Sequence, residues 1–206
     1  MSPFSSKELY IMNGGVKFYI HKDGFGDVYN ATVAEEAEWA KEVIDRALAK
    51  IDTEKNSVSF KAAVDNLLFH KYPDLETLLV KKMEDATPLR QLFFATALWN
   101  IGKHEDSFEI VFRNLVQHRS ECLNEVFLSL GDFKHSLKAR KFILFCFEGD
   151  DDELLKKANI TVGRWAYSGM PLLRQNNLLE RIGSNDRSTA IFKAAVQQLK
   201  QILEVV

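Results

Sequence analysis

The feature that most constrains this chain is an ending that it uses more than once. Ala97-Leu98-Trp99-Asn100-Ile101-Gly102 is echoed by Val126-Phe127-Leu128-Ser129-Leu130-Gly131 and again by Ala158-Asn159-Ile160-Thr161-Val162-Gly163. Each copy begins on an apolar residue and closes on apolar, polar, aliphatic, Gly. The three glycines fall 29 and 32 residues apart, and a weaker copy, Ala63–His70, ends 32 residues before Gly102 with His in the Gly position. A period of that size is the mark of repeated helical pairs. A Gly closing each first helix is expected to take the left-handed conformation cheaply, so that the last carbonyls find partners and the chain turns into the next helix. Such pairs cannot bury their faces alone, and stacking them gives a right-handed solenoid.

The remaining pattern agrees with that expectation. Thr32 stands three residues before Glu35, the spacing of a capping box, and opens a long helix with Val33, Ala37, Ala40, Val43, Ile44, Ala47, Leu48 and Ile51 at intervals of three and four. Asn56 or Ser57 starts a helix to about His70, Pro73 one to about Glu84, and Thr87-Pro88 is an N-cap followed by the favoured first-turn proline. Second amphipathic helices follow at Glu105–Gln117 and Phe133–Phe147, and less distinctly after Gly163, where Trp165–Met170 precedes Pro171. A terminal helix from Asn185 to about Leu203 would cap the stack.

The first thirty residues read differently. Val16, Phe18 and Ile20 alternate with Lys17, Tyr19 and His21, the period of a half-buried strand. Asn13-Gly14-Gly15 tolerates positive φ, so Leu9–Met12 is expected to fold back on that strand as a hairpin, with Phe25–Tyr29 as a third short strand. The expected organisation is therefore a small N-terminal β-hairpin over residues 1–31 packed on a mainly α-helical domain over 32–206. Tyr10, Tyr19 and Tyr29 would stand on the exposed side of the hairpin.

Size and charge limit the function. The chain has 206 residues, 46% of them hydrophobic, enough for a sizeable core. The formal net charge of -2 lacks the basic excess of a dedicated nucleic-acid binder. Cys122 and Cys146 both lie in apolar helical segments, which favours buried free thiols in a reducing compartment. The start, MSPFSSKELYIM, has no secretory pattern, and the longest apolar run, Phe142–Phe147, is far below the roughly 20 residues of a membrane span. A cytoplasmic protein without a membrane segment is expected.

No constellation for chemistry emerges. Five histidines, His21, His70, His104, His118 and His135, are scattered without zinc-ligand spacing. The acidic run Asp150-Asp151-Asp152-Glu153 lacks the alternation of a calcium loop and reads as a cap for the helix after it. His104-Glu105-Asp106 reads as acidic complement to a helix dipole. The glycine-rich stretches lack a phosphate-binding context, and neither Cys sits in an electropositive setting. No catalytic residue, metal or cofactor is assigned.

Pro88-Leu89-Arg90 through Gly102 resembles the first helix of a HEAT repeat. Pro88, Arg90, Ala95, Ala97, Leu98 and Gly102 match, while the second copy keeps the ending and lacks the Pro and Arg. The resemblance covers roughly residues 57 to 182. It implies a HEAT-like α-α solenoid, and a non-catalytic role as a scaffold or regulatory binder of another protein. On such a solenoid the second helices share one surface, so Arg113 would stand with the stripe Lys134, Lys138, Lys141, flanked by Arg140. Tyr10, Tyr19, Arg113, Lys134, Lys138 and Lys141 are the candidate partner-binding residues. The same cations support an alternative, a nucleic-acid-associated repeat protein. Alkylpurine DNA glycosylases of HEAT-like build use a basic groove with aromatics; this chain has Trp99 and Trp165 but near-neutral charge, which disfavours that reading.

Overall fold

The computed structural model describes residues 4–15, 31–183 and 186–205. The protein is mainly α: among the described residues there are eleven α-helices and no strand. The chain divides into two compact units, Met1–Asp85 and Ala86–Val206.

In the first unit, α1 (Ser6–Met12) precedes α2 (Val33–Thr53), α3 (Ser57–Phe69) and α4 (Leu75–Met83). Capping boxes open α1 and α2: Ser5 and Thr32 accept from the backbone N–H of Glu8 and Glu35, whose carboxylates reach back to the cap N–H groups at 2.8 Å. Trp39, Val43, Ala47 and Ile51 then recur every four residues as the buried face of α2, which packs against α3. On α3, Phe60, Ala63, Val64 and Leu67 are buried in turn.

The hairpin expected at the N-terminus is corrected at its first arm. Leu9–Met12 is helical, and Asn13-Gly14-Gly15 ends that helix instead of joining two strands. Gly14, at φ 62°, donates to the Ile11 carbonyl, and Gly15 donates to that of Tyr10 at 2.8 Å. This is the paired bonding of a Schellman stop. Helix stop and hairpin turn both call for residues that tolerate positive φ, so Asn-Gly-Gly signals either one. The Ser5–Glu8 box, two residues ahead of Tyr10's turn, decides for the helix. The other arm, Val16–His21, and the segment Phe25–Tyr29 lie outside the described residues.

In the second unit, α5 (Pro88–Gly102), α6 (Asp106–Gln117), α7 (Arg119–Ser129), α8 (Leu137–Glu148) and α9 (Asp152–Tyr167) follow one another. A 3-10 segment (Pro171–Asn177), α10 (Leu178–Gly183) and α11 (Ala190–Val205) complete it. Helix α5 packs on α6 and α7, α7 on α9, and α8 on α9 and α11. One continuous core results, from Leu92 and Trp99 through Phe127, Phe133, Ile143 and Trp165 to Leu199. Side-chain hydrogen bonds converge on the turn between α7 and α8. The Trp99 indole N–H donates to the Asp132 carbonyl at 2.9 Å, and that of Trp165 to the Leu130 carbonyl at 2.8 Å. The two indoles thus reach the α7–α8 turn from α5 and from α9, and each buries its ring while its N–H finds a partner.

The glycine endings behave differently from expectation. Gly102 is the last residue of α5, but the left-handed residue is Lys103, at φ 57°. Gly131 follows the C-cap Leu130 in the α7–α8 turn, and Gly163 lies inside α9. The stop of α9 is Gly169, at φ 127°, with the Met170 N–H donating to the Trp165 carbonyl at 2.9 Å. Spacing alone picks Gly163. The helix runs past it because Thr161, Val162, Trp165 and Ala166 continue the buried face without a break.

Candidate functional site

The expected basic stripe is partly dismantled by one cap. Ser136 accepts from the Ala139 N–H at 3.1 Å and starts α8 at Leu137, four residues later than the pattern suggested. Lys134 therefore stands in the turn before the helix, where its ammonium donates to the Ser168 carbonyl. Arg140, 6% exposed, faces inward. It donates to the Lys134 carbonyl at 2.7 Å and the Leu203 carbonyl at 3.3 Å, a cation at the C-terminal turn of α11. Both cations are thus engaged by backbone carbonyls of the fold.

Lys138 and Lys141 remain on the outer face of α8, across from α6. Helices α6 and α8 meet through side chains: Lys138 pairs with Glu109 at 2.7 Å in their first turns, and the rings of Phe112 and Phe142 lie 5.6 Å apart one turn on. Between them is a groove of about 410 Å³ lined by Phe108, Glu109, Phe112, Lys138, Lys141, Phe142 and Phe145. Phe108 and Phe142 form the floor and are buried, whereas Phe112 is 39% and Phe145 62% exposed. Val116 and Leu137 extend the apolar surface along the two helices and are themselves exposed. Arg113 is exposed on α6, one turn beyond Glu109.

The charges around the groove are unevenly used. Glu109 holds Lys138, and raises its pKa, chiefly through their hydrogen bond. The carboxylate of Glu105, expected to serve α6, serves α8: it accepts from the Ser136 hydroxyl at 2.6 Å and the Leu137 N–H at 3.1 Å. Asp106 sits in the first turn of α6, where it complements the helix dipole. Lys141 and Arg113 have no ion-pair partner among the described residues. The groove is thus apolar along its floor and carries spare positive charge beyond its first turn.

The other candidates fall elsewhere. Tyr10 is 5% exposed, packed edge-on against Trp39 at 5.6 Å and near His70. Its assignment to an exposed anchor is corrected, because α1 buries it. Tyr19 lies outside the described residues. A smaller depression of about 220 Å³ between α7 and α9 has its cations turned inward, Lys157 onto Asn124 and Arg164 onto the Leu128 carbonyl. The acidic run acts as a cap: Asp151 accepts from the N–H groups of Glu153 and Leu154, both at 3.0 Å. Arg119 meets its carboxylate at 2.7 Å. Cys122 and Cys146 are free and buried, and burial pushes the Cys146 thiol up to about 12, which keeps it protonated at neutral pH.

Sequence reasoning found the two lysines of the groove and missed its aromatics. A signal was there. Helix α6 carries Phe108, Val111 and Leu115 toward the core, yet also Phe112 and Val116, a wider apolar arc than one buried stripe needs. Comparison with protein-family models, with curated proteins and with solved structures returns no match for this chain.

Proposed function

We propose that this protein is a non-catalytic interaction protein of the helical-repeat type, whose partner is another protein. In this reading residues 86–206 are a HEAT-like right-handed solenoid, with α5–α6 and α7–α8 as successive pairs and α9 opening an irregular third. What supports the repeat is the recurrence of one contact distance along the chain. Trp99 to Asp132, Arg119 to Glu153, Lys157 to Asn124 and Trp165 to Leu130 span 33 to 35 residues each. Neighbour-to-neighbour bonding of that kind is the expected energetics of a stacked repeat. The 3-10 segment after α9 departs from the pattern.

The observation that carries the function is the exposure of Phe112 and Phe145 over a groove already floored by aromatics. Aromatic side chains beside Lys or Arg on a rigid surface are the usual anchors of a protein interface. The nucleic-acid alternative is the poorer reading, since Lys134 and Arg140 are spent inside the fold and two cations are a thin phosphate-binding surface. The test is affinity capture from the native host's lysate, in parallel with and without nuclease treatment, with a Phe112→Ser/Phe145→Glu double variant alongside. A discrete protein retained by the wild type and lost by the variant is expected. Recovery of nucleic acid alone, or capture indifferent to the variant, would overturn the proposal.

A further inference from the structure

The α6–α8 groove also has a shape and a charge that define its occupant. Resting on the reading of this surface as a protein-binding face, we infer that it takes an amphipathic helix with acidic flanks. The lining runs from Phe108 to Phe112 on α6 and from Lys138 to Phe145 on α8, so along α8 the trough is about 11 Å long, or two helical turns. A third helix laid in such a trough presents apolar residues at i, i+3, i+4 and i+7 to the floor. Phe108 and Phe142 supply that floor, and Phe112 and Phe145 stand as its walls.

Charge then selects among occupants. At the first turn the carboxylates are accounted for, Glu109 by Lys138 and Glu105 by the start of α8. Beyond it Lys141 lines the groove and Arg113 stands on the adjoining face of α6, with no carboxylate paired to either among the described residues. Closing a partner over them excludes water and leaves these cations to be met by acids. A second copy docked through the same groove would double the unpaired cations in the interface and supply no spare acid to meet them, since Glu109 and Glu105 are already engaged in each copy. A nucleic-acid duplex would bring anions but keeps its base faces stacked inside, with nothing to lay on the exposed Phe112 and Phe145 rings. The acidic residues of the bound helix are expected toward the end marked by Lys141 and Arg113, away from Asp106.

The experiment uses two fluorescein-labelled synthetic peptides with the same Leu and Phe anchors at i, i+3, i+4 and i+7. One carries Glu and the other Lys at the flanking positions. Fluorescence anisotropy is read against the full chain, Phe145→Glu, and the Arg113→Glu/Lys141→Glu double variant, each first shown by circular dichroism to keep its thermal midpoint. The Glu peptide is expected to bind the wild type about tenfold tighter than the Lys peptide, the worth of two exposed ion pairs. Raising the salt should narrow that gap, and the charge-reversed variant should invert it. Binding that depends on Phe145 but ignores peptide charge would sink the acidic occupant while leaving a protein-binding groove. Binding that ignores Phe145, or binding of neither peptide, would sink the groove itself. Sedimentation showing a wild-type dimer that Phe145→Glu dissolves would overturn the inference in favour of a second copy.

Discussion

The turn between α7 and α8 and the groove between α6 and α8 are built from the same kinds of residue put to opposite use. At the turn, Trp99 and Trp165 are buried and their N–H groups end on the Asp132 and Leu130 carbonyls. Apolar surface and polar atoms are both satisfied, so nothing there invites another molecule. At the groove, Phe112 and Phe145 stay open to solvent next to Lys141, which has no ion-pair partner among the described residues. A fold gains nothing from leaving phenylalanine surface in water, since full burial of such a side chain is worth roughly 1.5–3 kcal/mol and Phe145, 62% exposed, forgoes more than half of it. The turn holds the structure together, and the groove is the part whose cost the fold alone does not justify.

The largest expected effect breaks the comparison on its stable side. Trp165→Ala removes a fully buried ring and one of the two donors to the Leu130 carbonyl, which keeps the Phe133 N–H, and should destabilise the protein by about 3–5 kcal/mol in urea titration. Trp165→Phe keeps most of the ring and separates the two parts, losing chiefly the hydrogen bond, about 1 kcal/mol. By contrast Phe145→Glu, at 62% exposure, should stay within about 0.5 kcal/mol of the wild type. If Phe145→Glu costs as much as Trp165→Phe, the groove is structural and the distinction fails.

A pair of glycines sharpens the same point at smaller scale. Gly163 is inside α9, and a Cβ there would meet nothing within 4 Å, so Gly163→Ala should stabilise by up to about 1 kcal/mol. Gly169 carries φ 127°, and Gly169→Ala should destabilise by about 1–2 kcal/mol. Thermal midpoints moving in opposite directions would confirm which glycine ends the helix.

These glycines also show where sequence reading reached its limit. Caps that depend on near neighbours were legible: Thr32 with Glu35, Asn56, Thr87-Pro88 and Asp151 all stand at the start of the helices they were expected to open. Stops were less so, because left-handed residues need not be Gly. Lys71 and Lys103 both take positive φ, at 51° and 57°. Start positions set by a remote partner were invisible: Glu105 helps hold the first turn of α8 from 31 residues away, so Lys134 looked like part of the helix. Of the candidate residues, Lys138 and Lys141 share the groove because they stand three residues apart on one helix, hence on one face. Phe112 and Phe145 were missed because an apolar residue in an amphipathic pattern is read as core until its neighbour helix is placed.

The smallest expected effect concerns the polar link from α7 to α9, Arg119 on the cap residue Asp151. Backbone donation from Leu154 and then the Arg119 guanidinium hold the Asp151 carboxyl below its ordinary value of 3.8. In that window the unfolded chain binds the proton more readily, so stability rises with pH through it. The contribution is complete above the unfolded value and is lost as pH falls through the depressed folded one. Asp151→Asn keeps a side-chain oxygen for the cap but neither titrates nor pairs with Arg119. Its urea midpoint should therefore show a shallower acid limb than the wild type as pH falls below about 4, with Glu8, Glu35, Glu42, Glu54 and Asp186, all lowered as well, adding to the slope that remains. Arg119→Gln should take away only part of the same slope, because the backbone donors to Asp151 stay in place. An acid limb unchanged in both variants would mean that Arg119 contributes nothing across the α7–α9 contact, leaving the Trp, Thr161 and Lys157 contacts to hold these two helices in place.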